Sequence, residues 1–459
     1  MLIQPDIIKK YDKPGPRYTS YPPANFFQSG FSEEEYINQL KLSNTQQPQN
    51  VSFYFHVPFC PQLCHFCGCN TELTRTKTFI DRYFEAMKAE FEAVAIHIDK
   101  SRPVTQIHWG GGTPNSVSLD LIAQVMNLVR KHFTFAEGAD IAMECNPAHL
   151  THRQMDELAA LGFNRISIGI QDFSHKVLDI INRRTSKLPV KEVVDYLRNK
   201  GIHVNLDFVY GLPGQTVDSF AETIREAIEI APHRIVTFSY AHVPWVKEAQ
   251  KKLEEHGIPD ATSKLSMFDR AFQLVTEAGY TAIGLDHFAK PEDEMAQALS
   301  DRTLHRNFMG YCTQSQTGQV YAFGSTSITQ LDGAYIQNIK DTVKYVETIE
   351  QKSIAPEKGY ILTQRDIICR SVIEELMCNH FIDLKQIAKN IHLEYDELIQ
   401  ITGFKPSDLQ QFMEDKLVDW NDGQLTILPE GKFVLRNVAM LFDPLLAETK
   451  TAMRYSKTV

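Results

Sequence analysis

Three times along this chain a helical run ends, a glycine follows, and a β-rich run begins at once, at Gly162, Gly201 and Gly279. Glycine has no Cβ, so it takes the left-handed conformation that closes a helix without a steric cost. Repeated helix–glycine–strand units predict parallel strands joined by crossover helices. The rhythm starts at Val51, where "VSFYFHV" has the apolar, aromatic character of a buried strand. "FIDRYFEAMKAEFEAV" places Ile80, Tyr83, Phe84, Met87 and Phe91 at helical spacing. Strand-like "VTQIHW", helix-like "LDLIAQVMNLVRKHF" and strand-like "ADIAME" follow, and the pattern continues to about residue 285. It yields about six or seven strands, short of an eightfold closure. The expected fold is α/β, a partial (β/α)6-type parallel barrel with its chemistry where strands end and loops begin.

The flanks differ. Residues 1–50 show little periodicity, carry several prolines and end in the polar "SNTQQPQN". They are expected to form an N-terminal extension that wraps the body, covers the active site and ends in a surface loop. Residues 51–340 are expected to form the barrel. From about Thr363 three short helices are expected, over "RDIICRSVIEELMCNHF", "LKQIAKNI" and "PSDLQQFMEDKL", then two strands about the tight turn "NDG". Residues 355–459 thus resemble a mainly helical, winged-helix-like domain. A net charge of −10 argues against a nucleic-acid partner, which needs a basic face. A cap or substrate gate is the expectation instead. The first residues hold no apolar run suited to a signal peptide, and no stretch approaches the length that spans a bilayer. A cytoplasmic protein without membrane contact is expected.

Four of the eight cysteines fall within "FHVPFCPQLCHFCGCN", at Cys60, Cys64, Cys67 and Cys69. Cytosolic disulfides are rare, so such a cluster binds metal or reacts. Cys145, Cys312, Cys369 and Cys378 are scattered and read as small core residues. A structural zinc ion takes four ligands, usually as two separated knuckles. Here four sulfurs crowd one loop and no second knuckle follows, so thiolates holding a 4Fe–4S cluster fit better. Three of them can hold three irons and leave the fourth iron open to a small molecule. His65 reads as a loop residue rather than a ligand.

Other runs carry polar groups at the same ends of strands. In "HWGGGTP" three adjacent glycines let a backbone approach a ligand closely, with a plain tight turn as the alternative. The run matches neither the dinucleotide fingerprint nor the P-loop. Glu144 in "MECNP" is a carboxylate placed to accept ribose hydroxyls, or else a surface acid. Gln171 in "SIGIQDF", Arg183 in "NRR" and Asp207 in "LDFVYGLPGQT" follow, and Arg183 and Asp207 have the alternative of pairing only with each other.

C-x3-C-x2-C after a first strand, with the aromatic Phe66 before the last cysteine, resembles the radical S-adenosylmethionine (SAM) superfamily. With "PRYTSYPP", "HWGGGTP", "SIGIQDF", "YGLPGQT", "FSYAHVP" and "RNFMGY", the chain is similar nearly end to end to the oxygen-independent coproporphyrinogen III oxidase family. The resemblance implies oxidative decarboxylation of two propionates of coproporphyrinogen III to vinyls, through a 5′-deoxyadenosyl radical. It implies Cys60, Cys64 and Cys67 as cluster ligands. It implies Tyr54, Phe66, Gly111, Gly112, Thr113, Glu144, Gln171, Arg183, Asp207, Ala241 and Ile328 as SAM-binding residues, with two SAM molecules expected. Cys69 is then a non-ligand, either structural or engaged in substrate handling or in shielding the radical site. Arg17 and Arg306 each sit in a family motif and are candidate forks for the substrate carboxylates, or members of structural ion pairs. A low-potential electron donor such as flavodoxin or ferredoxin is implied, with an acceptor the residues do not identify, and a monomer is expected.

Two other readings stay open. One is a related haem chaperone, whose cysteine loop ends C-x-F in place of Cys67-Gly68-Cys69 and which lacks "PRYTSYPP". The other is a zinc-stabilised interaction protein with a winged-helix tail.

Overall fold

The computed structural model describes residue 7 and residues 10–448. After helix α1 (Glu33–Leu42), six parallel strands follow in spatial as well as chain order. They are β1 (Val51–Val57), β2 (Val104–Gly111), β3 (Phe135–Cys145), β4 (Arg165–Gln171), β5 (His203–Tyr210) and β6 (Arg234–Ser239). Helices α2 (Lys77–Ala95), α3 (Leu119–His132), α4 (His152–Ala160), α5 (Val190–Asn199) and α6 (Val217–Ile230) lie between them in the chain. Their apolar faces, Phe91 of α2 among them, pack on the outward side chains of the strands, including Phe53, Phe55 and Trp109, in one continuous core. The partial parallel barrel is therefore as expected, and its two edges are not hydrogen-bonded to each other.

The sheet extends beyond those six strands to thirteen. Strands β7 (Thr281–Ile283) and β8 (His287–Ala289) form an antiparallel pair beyond β6, with β8 against β6. On the other flank β9 (Gln319–Phe323) runs parallel to β1, followed by antiparallel β10 (Ile328–Gln330), β11 (Ala334–Asn338) and β12 (Pro356–Ile361).

Gly162, Gly201 and Gly279 all have positive φ, of 87°, 75° and 89°. The first two lead into parallel neighbours. The third departs from expectation: β7 is separated from β6 by β8. The chain reverses at Gly284, whose φ is 57° and where a Cβ would stand 1.9 Å from the Tyr311 hydroxyl.

One element was not foreseen and one expectation needs correction. Residues 1–50 carry a helix, α1 at Glu33–Leu42. Its start is a capping box, in which the Ser32 hydroxyl accepts from the Glu35 N–H (3.1 Å) and Glu35 accepts from the Ser32 N–H (2.9 Å). The "SEEE" signature was present but the run lacked a wide apolar stripe, since only Tyr36 and Leu40 are buried. In the C-terminal region, "EYDELIQIT" forms a fourth helix, Tyr395–Thr402, and Phe381–Asp383 adds a third strand beside the Val418–Asn421 and Gln424–Ile427 hairpin. The expected Asp-Gly turn is there, with Asp422 and Gly423 at φ 47° and 92°.

The N-terminal segment packs largely on this C-terminal region. Tyr11 stacks on Phe412 at 4.7 Å, Tyr18 donates to Asp443 (2.8 Å), and Tyr21 is fully buried in the same core. The end of the C-terminal region, residues 449–459, lies outside the described residues.

Candidate active site

The parallel strands alternate. Their outward residues are apolar, and their inward residues include Tyr54, His56, His108, Glu144, Ser167 and Asp207. Buried parallel strands usually read as continuous apolar runs. Here "YFH", "IHW", "SIGIQ" and "LDF" carry a polar group at every second position, which marks a concave face that must meet a ligand or solvent. Deep in this interior, the barrel is plugged by ion pairs. Arg234 binds Asp293 bidentately (2.8 and 2.8 Å), and Arg165 binds Asp140 (2.9 Å) and Glu294 (2.7 Å). The open end, where strands finish, is left for chemistry.

The cysteine loop leaves β1 at this end. It is clamped to the glycine run after β2 by two backbone bonds, Gly112 N–H to Val57 C=O (2.7 Å) and Thr113 N–H to Phe59 C=O (3.0 Å). Buried Cys60 lies 3.3 Å from the Thr113 hydroxyl. Cys64 Sγ lies 3.5 Å from Arg183 Nη1. The His65 N–H donates to Ile181 C=O (2.9 Å), and its ring meets Ile180 C=O (3.2 Å), as a loop residue would. The Phe66 ring packs against Val177, Leu178 and Leu253, while its C=O accepts from Gln250 Nε2 (3.0 Å). Cys69 is exposed at the loop's rim, where its C=O accepts from Lys247 Nζ (2.5 Å).

The three glycines serve protein packing first. A Cβ at Gly110 would stand 3.0 Å from the Glu144 carboxylate; at Gly111, 2.5 Å from the His56 ring; at Gly112, 2.7 Å from the Pro58 backbone. Gly111 N–H donates to Glu144 Oε2 (3.1 Å). With the N–H groups of residues 111–113 all occupied, and the Thr113 carbonyl accepting from Ser116, it is the glycine carbonyls that the loop can present, which suits an ammonium rather than an anion.

Glu144 ends β3 as expected. Its Oε1 meets His108 Nε2 at 3.2 Å, and its side chain remains 47% exposed within the concave face. Burial works to raise its carboxyl, but His108 and the Gly111 N–H outweigh it and leave it below the ordinary value. Tyr54 pairs in register with His108, and their rings stack at 6.0 Å. The Asn70 carbonyl accepts from His56 Nε2 (3.1 Å), so the neutral ring accepts at Nδ1 from the Tyr54 hydroxyl (3.0 Å). Burial holds His56 down to about 4, which keeps it neutral. His56 and His108 were missed as site residues by reading for motifs. The period-two polarity of their strands was the signal.

Arg183 and Asp207 do not pair. Arg183 reaches the Gly169 carbonyl and Cys64, while Asp207 accepts from Ser167 Oγ (2.7 Å). Burial pushes the Asp207 carboxyl up to about 6. Gln171 sits at a strand irregularity with φ 72°, its amide beside Gly169. Ala241 follows β6 and its carbonyl accepts from Gln250 (3.2 Å). Ile328 opens β10 and packs beside Tyr335.

Arg306 lies over the Tyr311 ring (4.8 Å), and its buried Nε has no partner. Arg306 and Arg17, almost three hundred residues apart, both act on the carboxylate of Asp286. Burial works to raise Asp286, yet His287, Arg306 and Arg17 together hold it below the ordinary value. Arg436 is lowered to about 10 by burial and then by Arg17, and Lys264 is likewise lowered by burial and Arg17. In a chain of net charge −10, these four cations make a locally positive region.

The thiols suit a cluster better than one ion. Among the described residues no three His, Cys, Asp or Glu side chains converge on a single-ion position. Zinc requires that convergence, whereas a cubane asks each sulfur to reach a different iron. Beside Cys64, Arg183 Nε is a buried donor without a partner, which suits a negatively charged group. Burial pushes Cys60 up to about 11 and raises Cys64, so loading the site must release protons. Cys67 is lowered, first by its hydrogen bond with Cys69. Cys145, Cys312, Cys369 and Cys378 are buried, as expected. No helix among the described residues is long and apolar enough to cross a membrane.

Residues 54–227 match the radical SAM superfamily. The chain is 37% identical to the oxygen-independent coproporphyrinogen III oxidase of Synechocystis sp., over 99% of this chain and 97% of that protein. It is 35% identical to the Escherichia coli enzyme of the same name, over 99% and 98%. The solved structure of Escherichia coli coproporphyrinogen III oxidase, described as a radical SAM enzyme, superposes with a TM-score of 0.88 at 34% identity, covering 96% of this chain and 99% of that one. A family model confined to residues 54–227 leaves the extension and the C-terminal region unexplained, while these end-to-end likenesses include both. The chain belongs to the oxygen-independent coproporphyrinogen III oxidase family of the radical SAM superfamily.

Proposed function

We propose that this protein decarboxylates two propionate side chains of coproporphyrinogen III oxidatively, without oxygen, to give the vinyl groups of protoporphyrinogen IX. The observation that carries the reading is the likeness over 99% of the chain to enzymes of that name, joined to three cysteines on one loop at the open end of the barrel. The cofactors are a 4Fe–4S cluster and SAM. When bound, they supply a 5′-deoxyadenosyl radical that removes one hydrogen atom from each reacting side chain. Each –CH2–CH2–COO⁻ group, having lost that hydrogen atom, releases CO2 and one electron and becomes –CH=CH2.

In this reading Cys60, Cys64 and Cys67 hold the cluster, and Arg183 beside Cys64 offsets its negative charge. The carbonyls of Gly111 and Gly112 face the SAM ammonium, and Thr113, whose own carbonyl accepts from Ser116, lines the same loop. Glu144 and Asp207 accept from ribose hydroxyls, and Tyr54, Phe66, Gln171, Ala241 and Ile328 line the SAM-binding region, with room for a second SAM as an expectation. Arg17 and Arg306, with Lys264 and Arg436, face the substrate propionates, and guanidinium forks suit carboxylates. Residues 1–50 cover the site, 51–340 form its frame and 355–459 cap it. A low-potential carrier such as flavodoxin or ferredoxin provides electrons in the cytoplasm to a monomeric enzyme, without nucleic acid or membrane.

Anaerobic incubation with coproporphyrinogen III, SAM and dithionite tests the proposal. Vinyl product together with 5′-deoxyadenosine is expected. Haem binding without vinyl product would instead favour the chaperone reading, against which Cys67-Gly68-Cys69 and "PRYTSYPP" speak.

A further inference from the structure

The cysteine loop also borders a second recess, against residues 182–184 that follow β4. There Cys64 lines a narrow cleft with Gln62, His149, Arg183 and Arg184. The cleft shares Gln62, Arg183 and Arg184 with a shallow, open groove that also contains His175, Asp179 and Lys187. Arg184, Lys187 and His175 are exposed. Arg184 is aimed by its Nε bond to Gln62 Oε1 (2.9 Å). Asp179 is the only carboxylate among the lining residues of cleft and groove. His149 feels the field of the others: burial lowers it first, then Arg184, Arg183 and Lys187. A positive groove is unexpected on a chain of net charge −10, and it lies directly against a cysteine ligand.

We propose that this groove is the docking surface of the protein that reduces the cluster, a small acidic one-electron carrier with its redox cofactor near its own surface. The proposal rests on the function given above, since only a reductively triggered site needs such a partner. Charge complementarity selects the partner: exposed cations on a shallow rim steer and orient an acidic protein, whereas a small anion calls for an enclosed cradle. Proximity selects the place. Arg183 Nη1 is 3.5 Å from Cys64 Sγ, so a carrier seated here is separated from a ligand sulfur by little more than one side chain. One electron leaves the reduced carrier and enters the cluster for each radical event, and no atom is transferred.

The test uses Arg184→Glu with Lys187→Glu in the cluster-loaded enzyme, leaving Arg183 untouched. Binding of oxidised flavodoxin is followed by calorimetric titration at about 0.02 M and about 0.5 M salt, where screening is weak and strong respectively. Turnover is compared with reduced flavodoxin and with dithionite. Flavodoxin binding at low salt is expected to weaken by at least about tenfold. The deficit should close at high salt, and turnover with dithionite should be unchanged. Unaltered flavodoxin affinity in the variant, or an equal loss of turnover with both reductants, overturns the proposal. Absence of vinyl product from the unaltered enzyme with dithionite overturns the proposed function instead, and leaves the docking surface to be judged by the titration.

Discussion

Glu90 offers the sharpest physical test of this structure. It lies on α2, is fully buried, and accepts three hydrogen bonds: from Gly324 N–H (3.0 Å), Asn338 Nδ2 (2.6 Å) and the Tyr345 hydroxyl (2.6 Å). The same loop meets the cysteine strand, because Tyr83 donates to His56 C=O (2.8 Å) and accepts from Ser325 N–H (3.0 Å). Burial outweighs the three donors and pushes Glu90 from 4.5 up to about 7. A group raised in the folded state contributes stability that is complete below its unfolded pKa and is lost as pH rises through the folded one. The window is therefore about pH 4.5 to 7, and the full loss is about 3 kcal/mol, most of which falls between about pH 5 and pH 8. Glu90→Gln removes the titration. It also sets an NH2 against a donor, a pH-independent cost of about 1–3 kcal/mol.

The variant should thus be less stable than the parent near pH 5, by about 1 kcal/mol at the middle of that cost range, and equal to the parent or more stable than it near pH 8. Asp207 and Glu374, which are also raised, cancel in the difference between the two proteins. Anaerobic urea unfolding, followed through buried Trp109, should show the difference between midpoints changing by roughly half of 1 M over that range, because the slope of a 459-residue chain exceeds the roughly 1–3 kcal/mol per M of small proteins. A difference between the proteins that stays constant with pH would refute the reasoning.

Three further outcomes are expected. Gly112→Ala puts a Cβ 2.7 Å from the Pro58 backbone, which no rotamer relieves, so iron content after anaerobic reconstitution should fall sharply while far-ultraviolet circular dichroism stays native. Cys69→Ser should keep its iron and Cys67→Ser should lose it, as judged by iron analysis; equal losses would make Cys69 a ligand. SAM affinity should tighten as pH rises through about 6, where Asp207 ionises, and Asp207→Asn should remove that step and weaken binding by about 10- to 150-fold, measured by equilibrium dialysis.

Much of the frame was legible before any coordinates. The glycine seams at Gly162 and Gly201, the apolar stripe of α2 and the Asp-Gly hairpin are local events, decided by backbone sterics and side-chain period within one or two elements. The missed elements are local as well but lack a strong period. Helix α1 buries only two residues, and Tyr395–Thr402 buries only Leu398 and Thr402. The strand after Gly279 was misplaced because local signals predict a strand but not its neighbour.

The cysteine spacing, the glycine run and the alternation along the parallel strands were determined by the sequence itself, because a loop's ligand geometry and a strand's two faces depend on residues a few positions apart. Tertiary structure alone decided that Arg183 turns to Cys64 rather than to Asp207. It alone brought Arg17 and Arg306 near Asp286, and seated Glu90 among donors from Gly324, Asn338 and Tyr345. Those choices are made by desolvation and pairing between groups mostly more than one hundred residues apart, and no periodicity in the chain encodes which buried charge will meet which partner.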